Sequence, residues 1–149
     1  MSKIGWEMSH SVETNASPAF AWEFWTNVAN WADPPAKFDL DGPFADGSRG
    51  TTRLPGQEPL HWFIREVTPS NAATIEMQLK GATLLFDWRF VKLADGRTKL
   101  TQRVALTGEN TDVYLSEVKS TFTASLPDGM NKLAAAMANA YSSRQGRGR

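Results

Sequence analysis

Between Leu60 and Thr107 four short apolar segments with strand-like alternation follow one another, and one stripe at helical spacing then runs on to Tyr141. Each of these elements has a face it must bury, and an antiparallel meander feeding a single long helix buries both by curling around that helix. Where bulky side chains leave the space between sheet and helix unfilled, a small apolar ligand can enter. The pattern therefore predicts an α+β container, while no residue set in the chain reads as a catalytic signature.

Registers follow from the alternation. Ile75, Met77 and Leu79 alternate with Thr74, Glu76, Gln78 and Lys80, and Gly81-Ala82 offers a two-residue turn with Gly first. That turn sets Leu79 opposite Leu84, Met77 opposite Phe86 and Ile75 opposite Trp88. For the next hairpin, a two-residue Asp95-Gly96 loop would place Trp88 opposite Arg103, a charge among aromatics. A three-residue loop, Ala94-Asp95-Gly96, instead pairs Phe90 with Leu100, Trp88 with Gln102, Phe86 with Val104, and Asp87 with Arg103 on the other face. A slip by one residue exchanges the two faces of a strand, so the hydrophobic pattern decides for the bulged register.

Upstream, Trp6, Met8, His10 and Val12 alternate with Glu7, Ser9, Ser11 and Glu13, the pattern of a half-buried edge or pairing strand ending at Thr14. Ser17-Pro18 supplies a helix start. Phe20, Phe24 and Val28 share a face, Trp22, Trp25 and Trp31 make the region unusually aromatic, and Asp33-Pro34-Pro35 stops it, which predicts a pair of short helices. Further strands are expected over Lys37–Leu40, Ser48–Leu54 and Leu60–Val67, with Pro55-Gly56 as a turn between the last two. In the closing helix Leu115, Val118, Phe122, Leu126, Met130, Leu133, Met137 and Tyr141 recur every three or four residues. The stripe stays in phase across Pro127, which favours one kinked helix; a break at Pro127-Asp128-Gly129 is the alternative.

Composition narrows the partners. A chain of 149 residues fits one domain, taken as 1–143, with 144–149 a disordered basic tail. Sixteen Lys and Arg balance sixteen Asp and Glu, which removes the electrostatic case for nucleic acid or an anionic membrane as principal partner. Absence of cysteine excludes disulfide and thiolate chemistry, and two histidines far apart in sequence make a zinc site improbable, so neither metal nor cofactor is expected. No segment approaches the length of a bilayer span, and the opening MSKIGWEMSHSVET lacks a basic stretch followed by a long apolar run. A cytoplasmic location is expected.

The order of strand, short helices with a Ser-Pro start, Gly42-Pro43-Phe44-Ala45-Asp46-Gly47-Ser48-Arg49-Gly50, Leu54-Pro55-Gly56, Val67-Thr68-Pro69, Arg97-Thr98-Lys99-Leu100-Thr101 and an amphipathic closing helix carries a resemblance. Nearly the whole chain, up to about Ser143, resembles the polyketide cyclase/dehydrase branch of the START/Bet v 1-like (SRPBCC) superfamily. The resemblance implies a helix-grip fold, a curved seven-stranded antiparallel sheet around a C-terminal helix with a hydrophobic cavity between. It rests on turn and strand signals, so it implies architecture more than activity.

Alternation gives the candidate lining. Trp62, Ile64, Ile75, Met77, Phe86, Trp88, Phe90, Gln102 and Val104 project from the sheet, and Phe122, Met130 and Leu133 from the helix. Taken one by one these are ordinary core residues. Gln102, a polar group opposite Trp88 on an apolar face, is the first candidate to orient a ligand; satisfaction by its own neighbours is the competing reading. His10 lies on the apolar side of its strand, and Arg53 is placed to meet an anionic group at the cavity mouth. His61 alternates outward. No Ser/His/Asp arrangement, inward carboxylate pair or phosphate loop is present in the pattern.

Three readings remain from sequence: a binding protein for a small, mostly apolar and aromatic or polyketide-like ligand; a polyketide cyclase or dehydratase working by positioning in a shaped cavity; and a partner-binding protein whose cavity is filled by Trp62, Trp88, Phe86 and Phe122. A homodimer is compatible with each.

Overall fold

The computed structural model describes residues 4–31 and 36–147. Seven strands, β1 (Ile4–Thr14), β2 (Lys37–Asp41), β3 (Arg49–Arg53), β4 (Leu60–Thr68), β5 (Ala72–Leu79), β6 (Ala82–Lys92) and β7 (Thr98–Gly108), form one curved antiparallel sheet. Its order is β1-β7-β6-β5-β4-β3-β2, so β1 and β2 are the edges. Helix α1 (Pro18–Thr26) and a single-turn 3-10 helix (Val28–Trp31) follow β1, and α2 (Thr111–Arg147) closes the chain. This is the helix-grip arrangement expected, including the pair of short helices; the Asp33-Pro34-Pro35 stop lies outside the described residues.

Capping starts α1 as the sequence implies: Ser17 Oγ accepts from the Phe20 amide at 3.3 Å, and Pro18 occupies the first turn. Helix α2 runs unbroken through Pro127. It buries Val118, Leu126, Met130, Ala134 and Met137 against the sheet and exposes Lys119, Asp128 and Lys132. The helix continues to Arg147, so residues 144–147 extend it where a tail was expected, and 148–149 lie outside the described residues.

Polar ties hold α2 at both ends. Near its start the Asn110 amide donates to the Gly81 carbonyl (3.0 Å), and the Tyr114 hydroxyl donates to the Lys80 carbonyl (2.9 Å). Further along, Thr14 Oγ1, buried at the end of β1, donates to the Ala134 carbonyl (2.8 Å). Toward the C-terminus Arg144 pairs with Glu23 of α1 at 3.2 Å, and Tyr141 meets Phe20 edge-on at 5.2 Å. The helix is thus fixed along β1 and across the β5–β6 turn.

The bulged β6–β7 register is present in full: Phe90 faces Leu100, Trp88 faces Gln102, Phe86 faces Val104 and Asp87 faces Arg103. The β5–β6 register differs from the expected one by two residues. Leu79 faces Ala82, Met77 faces Leu84 and Ile75 faces Phe86, leaving Ala73 opposite Trp88. Its turn is Lys80-Gly81, with Gly81 in the left-handed region (φ 78°) at the second central position. Gly81 also lies against the Asn110 side chain, where a Cβ would collide, and its carbonyl accepts from the Asn110 amide, so the residue before α2 braces this turn. An even slip keeps every side chain on its face, and the inward set is unchanged.

Inside the sheet, Trp62 spreads its indole over Gly50 on the neighbouring strand, and a Cβ there would overlap the ring. Gly50→Ala is expected to destabilise the fold by about 1–3 kcal/mol, the usual cost of overpacking a rigid core. Urea unfolding followed by tryptophan fluorescence measures it, and an unchanged midpoint would mean that Trp62 can move aside freely.

Candidate functional site

The inner face of the sheet divides into two regions. Under α1 and the 3-10 helix it is packed with rings. Trp25, 2% exposed, has ring centroids within 6.0 Å of Trp22, Trp31, Phe44, Trp88 and Phe90. Trp31 extends the block to Trp62 (5.5 Å) and Phe38 (5.7 Å). Two indole donors in the block are satisfied: Trp31 Nε1 donates to the Trp25 carbonyl (2.6 Å) and Trp62 Nε1 to Thr52 Oγ1 (3.0 Å).

Under α2 the packing is less complete. Ile64, Val104, Met130 and Leu100 are sealed, but Met77, Phe86, Phe122 and Leu133 are only half-buried. Phe86 of β6 meets Phe122 of α2 edge-on, with centroids 5.7 Å apart, bridging sheet and helix. Ile75, 7% exposed, faces Phe86 from the next strand.

One row of inward residues crosses the sheet here: His10 on β1, Gln102 on β7, Trp88 on β6 and Ala73 on β5. Gln102 is 7% exposed. No hydrogen bond to its side-chain amide is present among the described residues, yet no polar side-chain atom there is both sealed and unpartnered. The amide must therefore retain accessible surface on the inner face of the sheet. The Trp88 indole nitrogen is in the same condition at 8% exposure. His10, half-buried, adjoins Gln102 at the open edge.

Other polar candidates lie elsewhere. Arg53 is exposed on the outer face, 3.7 Å from Asp39, so it is not at a cavity mouth on the Gln102 side. His61 is exposed on the same outer face, as expected. Asp87 and Arg103 form the expected pair at 2.9 Å, and Glu7 joins them at 2.6 Å. Hydrogen bonding to Glu7, and less strongly to Asp87, raises the Arg103 pKa above its ordinary value, and the three side chains form a structural network on the outer surface.

Sequence reasoning missed Trp25 and Phe44 as inward residues. The available signal was five rings, Phe20, Trp22, Phe24, Trp25 and Trp31, within residues 20–31, more than a short helix can bury on one face without a sheet beneath it. Among the described residues no group of His, Cys, Asp and Glu could hold a metal ion.

The family described as "Polyketide cyclase / dehydrase and lipid transport" matches residues 5–138. The chain belongs to this family. Its description joins polyketide modification to lipid transport, so the family handles hydrophobic small molecules. No curated protein matches the sequence. Among solved structures, norcoclaurine synthase from Thalictrum flavum in complex with dopamine and hydroxybenzaldehyde is similar with a TM-score of 0.65 at 14% identity, covering 91% of this chain and 88% of that one. Protein NE0264 from Nitrosomonas europaea gives 0.69 at 12% identity, covering 91% and 96%. The Aha1 dimer from Colwellia psychrerythraea gives 0.65 at 14% identity, covering 89% and 96%. At such identities these likenesses concern the fold. No helix among the described residues is long and apolar enough to cross a membrane.

If the Gln102 amide has no protein partner, removing it leaves nothing unsatisfied. Gln102→Leu is then expected to keep stability unchanged or raise it by up to about 1 kcal/mol in thermal or urea unfolding. A loss larger than that would show that the amide holds the fold together.

Proposed function

We propose that this chain binds a small, mostly apolar ligand in the gap between the sheet and α2. The observation that supports the reading is Gln102, 7% exposed and without a side-chain hydrogen bond among the described residues, its amide keeping some accessible surface on an otherwise apolar wall. An amide that keeps accessible surface can exchange its solvent contact for a hydrogen bond to a ligand group, a gain of about 0.5–1.5 kcal/mol. Of the residues expected to line the gap, Ile75, Met77, Phe86, Trp88, Gln102 and Phe122 are the proposed ligand contacts. Trp62, Ile64, Phe90, Val104 and Met130 serve the surrounding core, and Leu133 sits at its half-buried margin.

Native mass spectrometry of the purified protein, with extraction of whatever stays bound, tests the reading. A co-purifying apolar molecule, or quenching of tryptophan fluorescence by an added aromatic ligand, is expected. Gln102→Leu should weaken that binding by about tenfold, the value of one hydrogen bond. An empty protein indifferent to aromatic and acyl ligands would instead indicate a filled core, consistent with the ring block under α1, and would assign the activity to a protein partner.

His10 favours a second reading. It is the one titratable side chain on the inner face of the described strand interiors, and it adjoins Gln102. A cyclase or dehydratase acting on a polyketide-like carbonyl compound would use it for proton transfer, with Gln102 holding the carbonyl. In that case His10→Ala removes turnover of such a substrate and leaves its binding within about twofold of wild type. Equal loss of both would reduce His10 to a binding contact.

A further inference from the structure

The two edges of the sheet differ in how they are covered. Along β1 lies α2, tied to it by the Thr14–Ala134 bond. β2 pairs with β3 on one side only, and among the described residues no backbone hydrogen bond reaches Lys37–Asp41 from the other side. Its outward N–H and C=O groups are therefore left for another strand.

The side chains of β2 say which strand fits. Lys37, Asp39 and Asp41 alternate onto the outer face and are exposed, while Phe38 and Leu40 turn inward and are half-buried. Lys37 stands opposite Arg53, a like charge, and Arg53 pairs with Asp39 at 3.7 Å. Asp41 stands opposite Arg49, whose guanidinium lies over the Phe63 ring at 5.5 Å. Neither Lys37 nor Asp41 has an ion pair among the described residues. The strand thus carries an uncompensated positive charge at one end and an uncompensated negative charge at the other. Asp41 also lines an open depression beside this edge, with Arg49, His61 and Phe63, which gives a long side chain room to reach it.

We infer that β2 is the contact of a homodimer, pairing antiparallel with β2 of a second copy about a two-fold axis at Asp39. In that register Lys37 faces Asp41 of the second copy, twice by symmetry, and Phe38 faces its Leu40 on the inner side. Opposite charges directly across an antiparallel pair stabilise it, and the two aspartates that meet on the axis are each held by Arg53 of their own copy. The neighbouring registers fit less well. Centring on Leu40 puts Asp39 opposite Asp41, and centring on Phe38 gives Lys37 the Asp39 that Arg53 already holds and leaves Asp41 unmet. A strand of five residues makes a small contact, so the dimer is of the weak, reversible class. None of the proposed ligand residues takes part in it.

Analytical ultracentrifugation at low salt, from micromolar to millimolar protein, tests the contact on the wild type, Lys37→Asp and Asp41→Lys. The wild type is expected to dimerise reversibly. Each reversal sets like charges against each other at both pairs and should weaken dimerisation by about tenfold or more. Both positions are exposed, and an unchanged thermal midpoint checks that each variant folds. An equimolar mixture of the two variants restores both opposite-charge pairs, so a mixed dimer should form with close to wild-type affinity. A wild type that stays monomeric, a dimer indifferent to the reversals, or a mixture that associates no better than its components would overturn the inference. Loss in Lys37→Asp with Asp41→Lys unaffected would overturn this register in favour of the one centred on Phe38.

Discussion

Trp25 is the contact on which the interior arrangement depends. Its indole lies between the short helices and the sheet, with Trp22, Trp31 and Phe44 on one side and Trp88 and Phe90 on the other. Aromatic pairs of this kind add about 0.5–1.5 kcal/mol beyond the area they bury, so the block fixes α1 on the sheet firmly for a helix of nine residues. Because this block fills the space under α1, any room for a ligand is displaced toward α2. Trp88 belongs to both regions, as a wall of the block and a neighbour of Gln102. An occupied gap would therefore be felt by the tryptophans, and intrinsic fluorescence would report it.

The charge distribution follows the same division. Networks such as Glu7–Arg103–Asp87, with Thr74 Oγ1 donating to Asp87 at 2.7 Å, lie on the convex face where water can solvate them. Cross-strand pairs there add modest stability and hold register without placing an ion in the interior. The concave face is left to apolar groups, threonines bonded within the chain, and the single His10–Gln102–Trp88 row. The ionised groups of the described strand interiors are thus left to the solvated face, His10 apart.

Much of the architecture was legible because the sheet's alternation and the helix's stripe are both strong signals. The β6–β7 register could be read since its rival would have moved Arg103 among the rings, a penalty visible in sequence. The β5–β6 register could not, because a two-residue slip leaves Ile75, Met77 and Leu79 on the same face and the pattern is blind to it. The Lys80-Gly81 turn is braced by Asn110, a contact between distant segments that the local pattern does not carry. The place of Gln102 opposite Trp88 was legible because it belongs to the β6–β7 register. Arg53 was misplaced because its own strand, Arg49–Arg53, has little apolar pattern: Gly50 and Thr52 carry the inward face, and neither announces it.

The same reasoning bears on why an amide occupies position 102. A leucine there would complete the apolar wall, while an arginine would require a buried counter-ion that the neighbouring strands do not supply. An amide is the polar group that can persist without ionisation, and its desolvation cost is small enough for a fold of this size to carry unaided. It also presents a donor and an acceptor in one plane, which an apolar side chain cannot. Around it the ring block holds Trp88, and the Thr14–Ala134 bond ties α2 to the end of β1.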